Sequence, residues 1–436
     1  MIENHRNTLE KEATGSSPAT LYWGNGPQIW AFAAAAIREK VDLIVWNDRP
    51  AQGIVLPAVH GYFGGSKSTP TELAVNFDTN LYITDSIDWV RRPWAQSLIE
   101  RGSVFSPHGE AMRLERERAF GMELASRCGI AVPRSALVEN RAEAHIAISG
   151  DSSLTVLKNP LCSPSAPLHT IVCATAEEAT YAVNKADDTE GIFLQQNLGG
   201  TEIGHIALVA DGEVVPLVTN QEYKWSKDGG QQGHVVGRPL GGIVEADTTD
   251  KYCLAKQLIE PLAEWFEAVG FRGPVQVTAG LHNGKWKVME YNVRLGVSSG
   301  PLIATMLDNP FATFRDVANG LRPNPCFRKD FDIGVLQAVT TPPEKVGVDV
   351  PHCVIESAKN GPADVWWEAV TESPKGMCVR GERPFVLAGF SSTIEDALGK
   401  TAIVLDQLDR SDFDFRQDVG RTLWPPGNAS AATLIK

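Results

Sequence analysis

One stretch constrains the chain more than any other: Trp286 to Pro301, reading Trp-Lys-Val-Met-Glu-Tyr-Asn-Val-Arg-Leu-Gly-Val-Ser-Ser-Gly-Pro. Trp286, Val288 and Tyr291 are strand formers, and Gly280 to Gly284 before them read as a hairpin connection. Glu290 and Asn292 are two residues apart, so on a strand they project from one face. A carboxylate and an amide oxygen side by side, with Arg294 two residues on, suit a magnesium–nucleotide site: hard oxygens hold the cation and a guanidinium neutralises phosphate or acyl-phosphate charge. Gly296 then allows a sharp turn or a close backbone approach to a ligand. A polar strand end running into a loop would carry the same residues, and on this pattern alone both readings stand.

The first folded segment is a second constraint. Thr20-Leu-Tyr-Trp reads as a strand, Gly24-Asn25-Gly26 as a turn, Ile29 to Lys40 as an Ala-rich helix and Val41 to Trp46 as a buried strand, which together make a βαβ unit of a parallel sheet. Without a full Gly-x-Gly-x-x-Gly signature the glycines are expected to make a turn rather than a phosphate cradle. Leu81 to Thr84 reads as a further strand. A helix is expected over Glu110 to Cys128, stopping at Gly129, and another over Tyr252 to Gly270. Leu154 to Leu157 reads as a strand with Lys158 at its end, and Thr175 with Glu178 as a capping box opening a helix over Ala174 to Asn184. Asp211-Gly212 signals a hairpin between Gly204–Val209 and Val214–Val218. Gly229 to Gly242 reads as a glycine-rich loop.

A chain of 436 residues exceeds one ordinary core. Its 43% hydrophobic and 21% charged content are those of a globular protein, and its net charge of -13 argues against a sequence-independent nucleic-acid binder. No apolar run is long enough for a membrane span. The polar N-terminus lacks a signal core, and the 7 cysteines include no Cys-x-x-Cys pair. A cytoplasmic protein with reduced thiols and no zinc site is expected.

In their order, these segments resemble the ATP-grasp superfamily and, within it, the phosphoribosylamine–glycine ligases. Residues 286–301 match the metal-binding strand Glu-Phe-Asn-Cys-Arg-Phe-Gly. Ile192 to Glu202 is similar to the hinge Glu-Glu-Phe-Leu-x-Gly-x-Glu, and Gln221-Glu222-Tyr223-Lys224 to Gln-Asp-His-Lys. The resemblance runs from about residue 20 to 424. It implies an α/β and α+β protein in three parts: an N-terminal parallel-sheet domain over 19–106, an ATP-grasp clamp over 107–322 and a C-terminal α+β domain over 323–425, with tails at 1–18 and 426–436. The reaction it implies is ADP-forming amide synthesis through an acyl phosphate, joining a small-molecule carboxylate to an amine. The implied cofactors are ATP and Mg2+, with Mn2+ as a substitute. No nucleic-acid or membrane partner is implied, and the protein would act as a monomer or homodimer.

The implied roles fall on named positions. Glu290 and Asn292 would hold metal. Arg118, Lys158, Gln195, Gln196, Leu198, Glu202 and Lys224 would bind ATP, with the backbone of Gln196 and Leu198 at the adenine edge. Arg294 and Lys224 would act in catalysis. Arg238, Arg294, Ser298 and Ser299 would bind substrate. The sequence also departs from the ligase pattern. Thr84-Asp85-Ser86 stands where the family has Gly-Pro-Glu, and Val297-Ser298-Ser299 where it has Asp-Pro-Glu. The phosphate loop over 159–170 has prolines in place of glycines and a lysine. The first two losses fall on the segments that touch phosphoribosylamine in the family, so a ligase recruited to other substrates is expected; the third bears on how phosphate is gripped. The purine-pathway reaction and a non-catalytic nucleotide-binding relative are the alternatives.

Overall fold

The computed structural model describes residues 19–24, 26–47, 54–65, 68–163, 170–199, 202–228, 232–374 and 376–420. Both expected tails, Asn25, residues 164–169 of the proline-bearing loop and Gly229-Gly230 lie outside them.

The chain opens with a parallel sheet of β1 (Thr20–Trp23), β2 (Leu43–Asn47), β3 (Gly61–Gly64), β4 (Leu81–Thr84) and β5 (Val104–Phe105), in the order β3-β2-β1-β4-β5. Its central strands are covered on both faces, which is why Leu21, Tyr22, Ile44, Val45 and Ile83 are all buried rather than alternating. The helix Pro27–Glu39 joins β1 to β2, begins with proline at its first position and buries Ile29, Phe32 and Ala35. Strand order reverses between β1 and β4. The carboxyl ends of these two strands therefore border a crevice, the place where open parallel sheets bind ligands.

The helix expected over Glu110 to Cys128 is broken. A 3-10 turn (Gly109–Met112) and a short helix (Arg113–Arg116) precede Glu117, whose φ of -112° and ψ of 97° are extended, and a new helix runs Arg118–Arg127. The break is paired with the phosphate-loop segment. Glu117 bridges Leu161, the Cys162 N–H donates to the Arg116 carbonyl at 2.8 Å, and the Arg118 N–H donates to the Pro160 carbonyl at 3.1 Å. A tertiary pairing thus replaces the intrahelical bonds that periodicity alone would predict. The helix expected over Tyr252 to Gly270 is likewise split into Leu254–Leu258, Glu260–Leu262 and Ala263–Ala268, around Pro261, which has no N–H to continue the ladder.

A four-stranded unit follows: β6 (Ser135–Val138), β7 (Val156–Lys158), β8 (Ile171–Val172) and β9 (Ile192–Gln195), ordered β6-β9-β7-β8. Two helices cover it, Arg141–Gly150 capped by Asn140 and Ala176–Lys185 capped by Thr175. It has its own small core of Ala144, Ile148, Leu157, Val183 and Leu194.

The largest sheet has eight strands. β10 (Glu202–Ala210) and β11 (Glu213–Tyr223) form the expected hairpin across Asp211 and Gly212, at φ 48° and 95°. The glycine-rich stretch after it is more ordered than a loop: β12 (Trp225–Lys227) pairs with β13 (Gln232–Val235), and Gly241 and Gly242 begin β14 (Gly241–Ala246). Gly241 has no room for a side chain, since a Cβ there would stand 2.5 Å from a Val419 methyl. β15 (Arg272–His282) and β16 (Lys285–Asn292) turn through Asn283-Gly284, a tighter connection than residues 280–284 suggested. β17 (Ile333–Val339), β18 (Asp364–Trp367) and β21 (Phe385–Ser391) complete the order β16-β15-β10-β11-β14-β17-β21-β18, with β19 (Val370–Ser373) and β20 (Gly376–Val379) as a side hairpin. One sheet therefore takes strands from both sides of residue 322. Among the described residues no helix is long and apolar enough to cross a membrane.

Candidate active site

Glu290 sits near the end of β16, opposite Thr278 of β15, where Met289 is an extra residue bulged out of register. Three cations from other elements converge on it. Lys224 Nζ, just past β11, is 3.4 Å from one carboxylate oxygen. Arg118 Nη1, from the start of the new helix, and Lys158 Nζ, at the end of β7, stand 3.4 and 3.9 Å from the other. Burial by itself would lift the Glu290 carboxyl, but Lys224, Lys158 and Arg118 together hold it well below the usual carboxylate range. Lys158 is 6% exposed, and burial depresses its ammonium to about 8 against the pull of Glu290. Lys224 is also desolvated, yet Glu222, Glu290 and Glu202 keep it charged. Glu222 is its closest partner at 2.9 Å, and Ser298 Oγ donates to the other Glu222 oxygen at 2.7 Å.

Arg294 is positioned by a carboxylate far away in sequence. Its Nε donates to Glu115 Oε1 at 3.0 Å, and the Val293 N–H donates to Glu115 Oε2 at 2.7 Å. Glu115 lies in the short helix before the Glu117 break and is buried. The break therefore serves two purposes, aiming Glu115 at Arg294 on one side and Arg118 at Glu290 on the other. Beyond Arg294, Gly296 is tightly packed: a Cβ would come within 2.5 Å of Ser299 Oγ, which would have to turn away. Among the described residues, Ser299 Oγ is buried without a hydrogen-bond partner, and so is Thr278 Oγ1.

Glu290, Lys224, Lys158, Arg118, Glu222 and Arg294 line a cavity of about 320 Å³ that continues between β9 and β16, and Glu115 and Ser299 stand behind it. At its far end Gln195 Nε2 donates to the Met289 carbonyl at 3.2 Å. The Gln196 N–H donates to the Arg134 carbonyl at 2.8 Å, so of the Gln196 backbone only the carbonyl is left to meet a ligand. The Leu198 carbonyl faces His282 Nδ1 at 3.3 Å. Glu202 borders the same end, its carboxyl raised by burial and lowered in turn by Lys224. Among the described residues, the one group of His, Cys, Asp or Glu atoms close enough to share a metal lies elsewhere, at His205, Asp247 and Asp250 inside the large sheet. There Asp247 and Asp250 already accept backbone N–H groups of Lys251, Ala255 and Lys256.

No sequence-family profile matches the chain. Curated relatives do. Phosphoribosylamine–glycine ligase of Ralstonia nicotianae is 23% identical over 337 residues, covering 73% of this chain and 78% of the relative. That of Thermotoga maritima is 24% identical over 333 residues, covering 73% and 80%. The crystal structure of the Thermotoga maritima enzyme superposes with a TM-score of 0.69 at 18% identity, over 92% of this chain and 99% of that one. The chain is a diverged relative of the ATP-grasp ligases. Other ATP-grasp structures agree less closely. An L-amino acid ligase from Bacillus licheniformis gives a TM-score of 0.59 at 14% identity, over 92% of this chain and 99% of that one. The biotin carboxylase domain of a Hydrogenobacter thermophilus 2-oxoglutarate carboxylase, solved with MgADP, gives 0.63 at 11%, over 91% of each.

Within this ATP-grasp fold, most of the expected residues meet. Glu290, Asn292, Lys158, Lys224, Gln195, Gln196, Leu198, Glu202, Arg118 and Arg294 all line one cavity. Ser298 touches it through Glu222. Arg238 does not line it. Its guanidinium pairs with Glu368 at 2.7 Å and approaches Gly26, so it stands at the crevice of the N-terminal sheet. Glu115 and Glu222 are the residues that sequence reasoning passed over. Glu222 had a usable signal, since it fills the acidic place in Gln-Asp-His-Lys; Glu115 had none. The donor set fits a hard cation, because Glu290 is held ionised, Asn292 lines the same cavity with Gln276 opposite in register, and among the described residues the Thr278 hydroxyl has no partner.

Proposed function

We propose that the protein is an ATP-dependent, ADP-forming carboxylate–amine ligase. The observation that carries this reading is the convergence of Lys158, Lys224 and Arg118 on Glu290, with Arg294 fixed beside them by Glu115. Such a cluster neutralises several anions in one place and needs no nucleophilic side chain, which suits direct transfer between bound substrates. ATP would lie with adenine against the Gln196 carbonyl and the Leu198 N–H, ribose at Glu202, and phosphates at Lys158, Arg118 and Lys224. Glu290 and Asn292 would hold Mg2+ or Mn2+, which when bound supplies further positive charge to the phosphate oxygens.

The substrate carboxylate attacks the γ-phosphorus. An oxygen–phosphorus bond forms, the bond to the β-phosphate oxygen breaks, and ADP leaves with the electron pair. Arg294 holds the acyl oxygen and Lys224 the transferred phosphoryl group. An amine then attacks the acyl carbon and phosphate departs. The enzyme is a cytoplasmic protein, monomeric or homodimeric, acting on small molecules and on neither nucleic acid nor membrane. Its N-terminal part divides from the rest near residue 106, and the division expected near 322 falls between strands of one continuous sheet.

The substrates we favour are an amino acid or similar carboxylate and an amine lacking phosphoribose, as expected for specialised metabolism. The changed segments Thr84-Asp85-Ser86 and Val297-Ser298-Ser299 support this, and the names of the relatives favour the phosphoribosylamine–glycine reaction itself as the second reading. Magnesium-dependent ADP release with mass detection of products decides. The expected result is ADP with a new amide from an amino-acid and amine panel, and loss of both in Glu290→Ala. Glycinamide ribonucleotide from glycine and phosphoribosylamine would reinstate the purine reaction. Nucleotide binding without turnover on every pair would overturn the ligase reading in favour of a non-catalytic relative.

A further inference from the structure

The crevice at the carboxyl ends of β1 and β4 holds an acid that the ATP site does not use. Asp85 follows β4 directly. Its neighbours satisfy one another: the Ser86 N–H donates to Thr84 Oγ1 at 3.1 Å and the Asp88 N–H to Ser86 Oγ at 3.2 Å. The Asp85 carboxylate takes no part in that turn. It accepts from its own backbone N–H, and among the described residues its one side-chain hydrogen-bond partner is the Tyr22 hydroxyl at 3.4 Å, whose proton is already given to Gln28 Oε1 at 2.7 Å. Asp85 therefore keeps acceptor lone pairs that no described side chain fills, at the end of β4 that borders the crevice. Gly24 at the end of β1 leaves room for the Tyr22 ring, since a Cβ there would fall 2.0 Å from its hydroxyl.

The crevice adjoins the reacting centre. Gln28 Nε2 donates to the Gly296 carbonyl at 3.0 Å, tying the end of β1 to the loop that carries Arg294. The charged and titratable groups acting on Asp85 are Arg294, Tyr22 and Arg238, with Arg294 the strongest of the three. The cations here are matched by anions. Arg294 is paired with Glu115, and Arg238 and Arg383 share Glu368 at 2.7 and 2.8 Å. Counting Asp85, the described groups give three positive against three negative charges. That balance leaves no surplus for a phosphate dianion and places a carboxylate where an ammonium would arrive.

We infer that Asp85 is the acceptor-side catalytic residue: it receives the ammonium of an unphosphorylated primary amine and takes the proton that must leave before the amine attacks. The inference rests on the ligase reading and goes beyond it by assigning a group to the second half-reaction. Asp85 accepts one proton from R–NH3+. The freed nitrogen lone pair forms the C–N bond, the acyl C–O bond breaks, and phosphate leaves with that electron pair and with the second nitrogen proton. Asp85 then returns its proton to solvent. Burial raises its carboxyl to about 6, Arg294 acting against the rise, which suits a base working near neutrality.

The two half-reactions can be separated with hydroxylamine, which is uncharged at neutral pH and captures an acyl phosphate without a base. In wild-type enzyme both amide and hydroxamate are expected. In Asp85→Asn, kcat/KM for the amine should fall at least about 100-fold, the low end for a general base, while hydroxamate formation stays within about twofold and so reports an intact fold and ATP site. Asp85→Glu should recover part of the amide activity, and the acid limb of the amide pH profile should vanish in Asp85→Asn. Retention of both products in Asp85→Asn overturns the inference. So does loss of both in Asp85→Asn and Asp85→Glu alike, because Asp85 then serves activation or folding. A marked preference of the wild type for a phosphorylated over an unphosphorylated amine overturns the substrate class. Absence of hydroxamate from wild-type enzyme with every carboxylate tried removes the ligase reading itself, a failure separate from that of Asp85.

Discussion

A carboxylate surrounded by cations and a carboxylate facing a cleft obey opposite rules. Glu290 is stabilised in its charged form by Lys224, Lys158 and Arg118, whereas Asp85 is destabilised in its charged form by burial. The sign for Asp85 follows from its folded value of about 6 against an ordinary 3.8. The native state binds the extra proton between those values, so the penalty is absent below about 3.8, grows through the interval and is complete above about 6. Asp85→Asn should therefore stabilise the fold at pH 7.5 by about 1 kcal/mol, less than the full shift implies because the carboxylate is partly open to the crevice, and by almost nothing at pH 4. Urea midpoints at the two pH values measure this, and equal midpoints for variant and parent at pH 7.5 would contradict it. Gain of stability with loss of amide synthesis is the signature of a group kept for chemistry.

At the scale of elements, the loop from Arg294 through Ser299 is the most demanding piece. Its glycine admits the Ser299 hydroxyl at a distance no Cβ tolerates, and the Gly300 N–H closes back on the Gly296 carbonyl at 2.7 Å. Gly296→Ala should displace the start of the helix Ser299–Met306, cost about 1–3 kcal/mol as an overpacked site, and lower kcat about tenfold or more through a shifted Arg294. Thermal melts and steady-state rates check both parts, and an unchanged rate would show that the loop adapts. This loop was visible in the sequence because its residues are contiguous. So were β1, β2, β4 and the β10–β11 hairpin, where local apolar runs and turn residues agree with the tertiary result. The helix broken at Glu117 was not visible, because what breaks it is a bridge to Leu161, 44 positions on, and periodicity registers only near neighbours. Glu115 was hidden for the same reason: a lone acid on a helical stretch has no local mark of the arginine it holds 179 residues later. The engaged N–H of Gln196 depends in the same way on Arg134, brought alongside by β6 and β9.

Across the whole molecule, the proposed ATP site lies between a large sheet and a small one that packs around a separate core. Lys158 reaches Glu290 from the small sheet, while Lys224 and Glu290 itself come from the large one. A nucleotide that takes over these charges links the two sheets through its own phosphates. Bound MgATP should therefore slow backbone amide exchange across residues 135–195 by at least about tenfold, the size expected when ligand binding adds a kilocalorie or two to a local opening free energy. Hydrogen exchange with and without nucleotide tests this, and protection confined to β10–β16 would show that the small sheet is not recruited.

The bond from Gln28 to Gly296 has a consequence for how such a protein can be altered. It acts as a fixed gauge between two workshops, one where the acid is activated and one where its partner is chosen. Because the gauge is set by backbone and a single amide, the residues at the ends of β1 and β4 can be exchanged without rebuilding the strand that carries Glu290. A designer seeking a new coupling partner would recode positions 84, 86 and 88 and leave Gln28, Asp85 and residues 286–301 untouched.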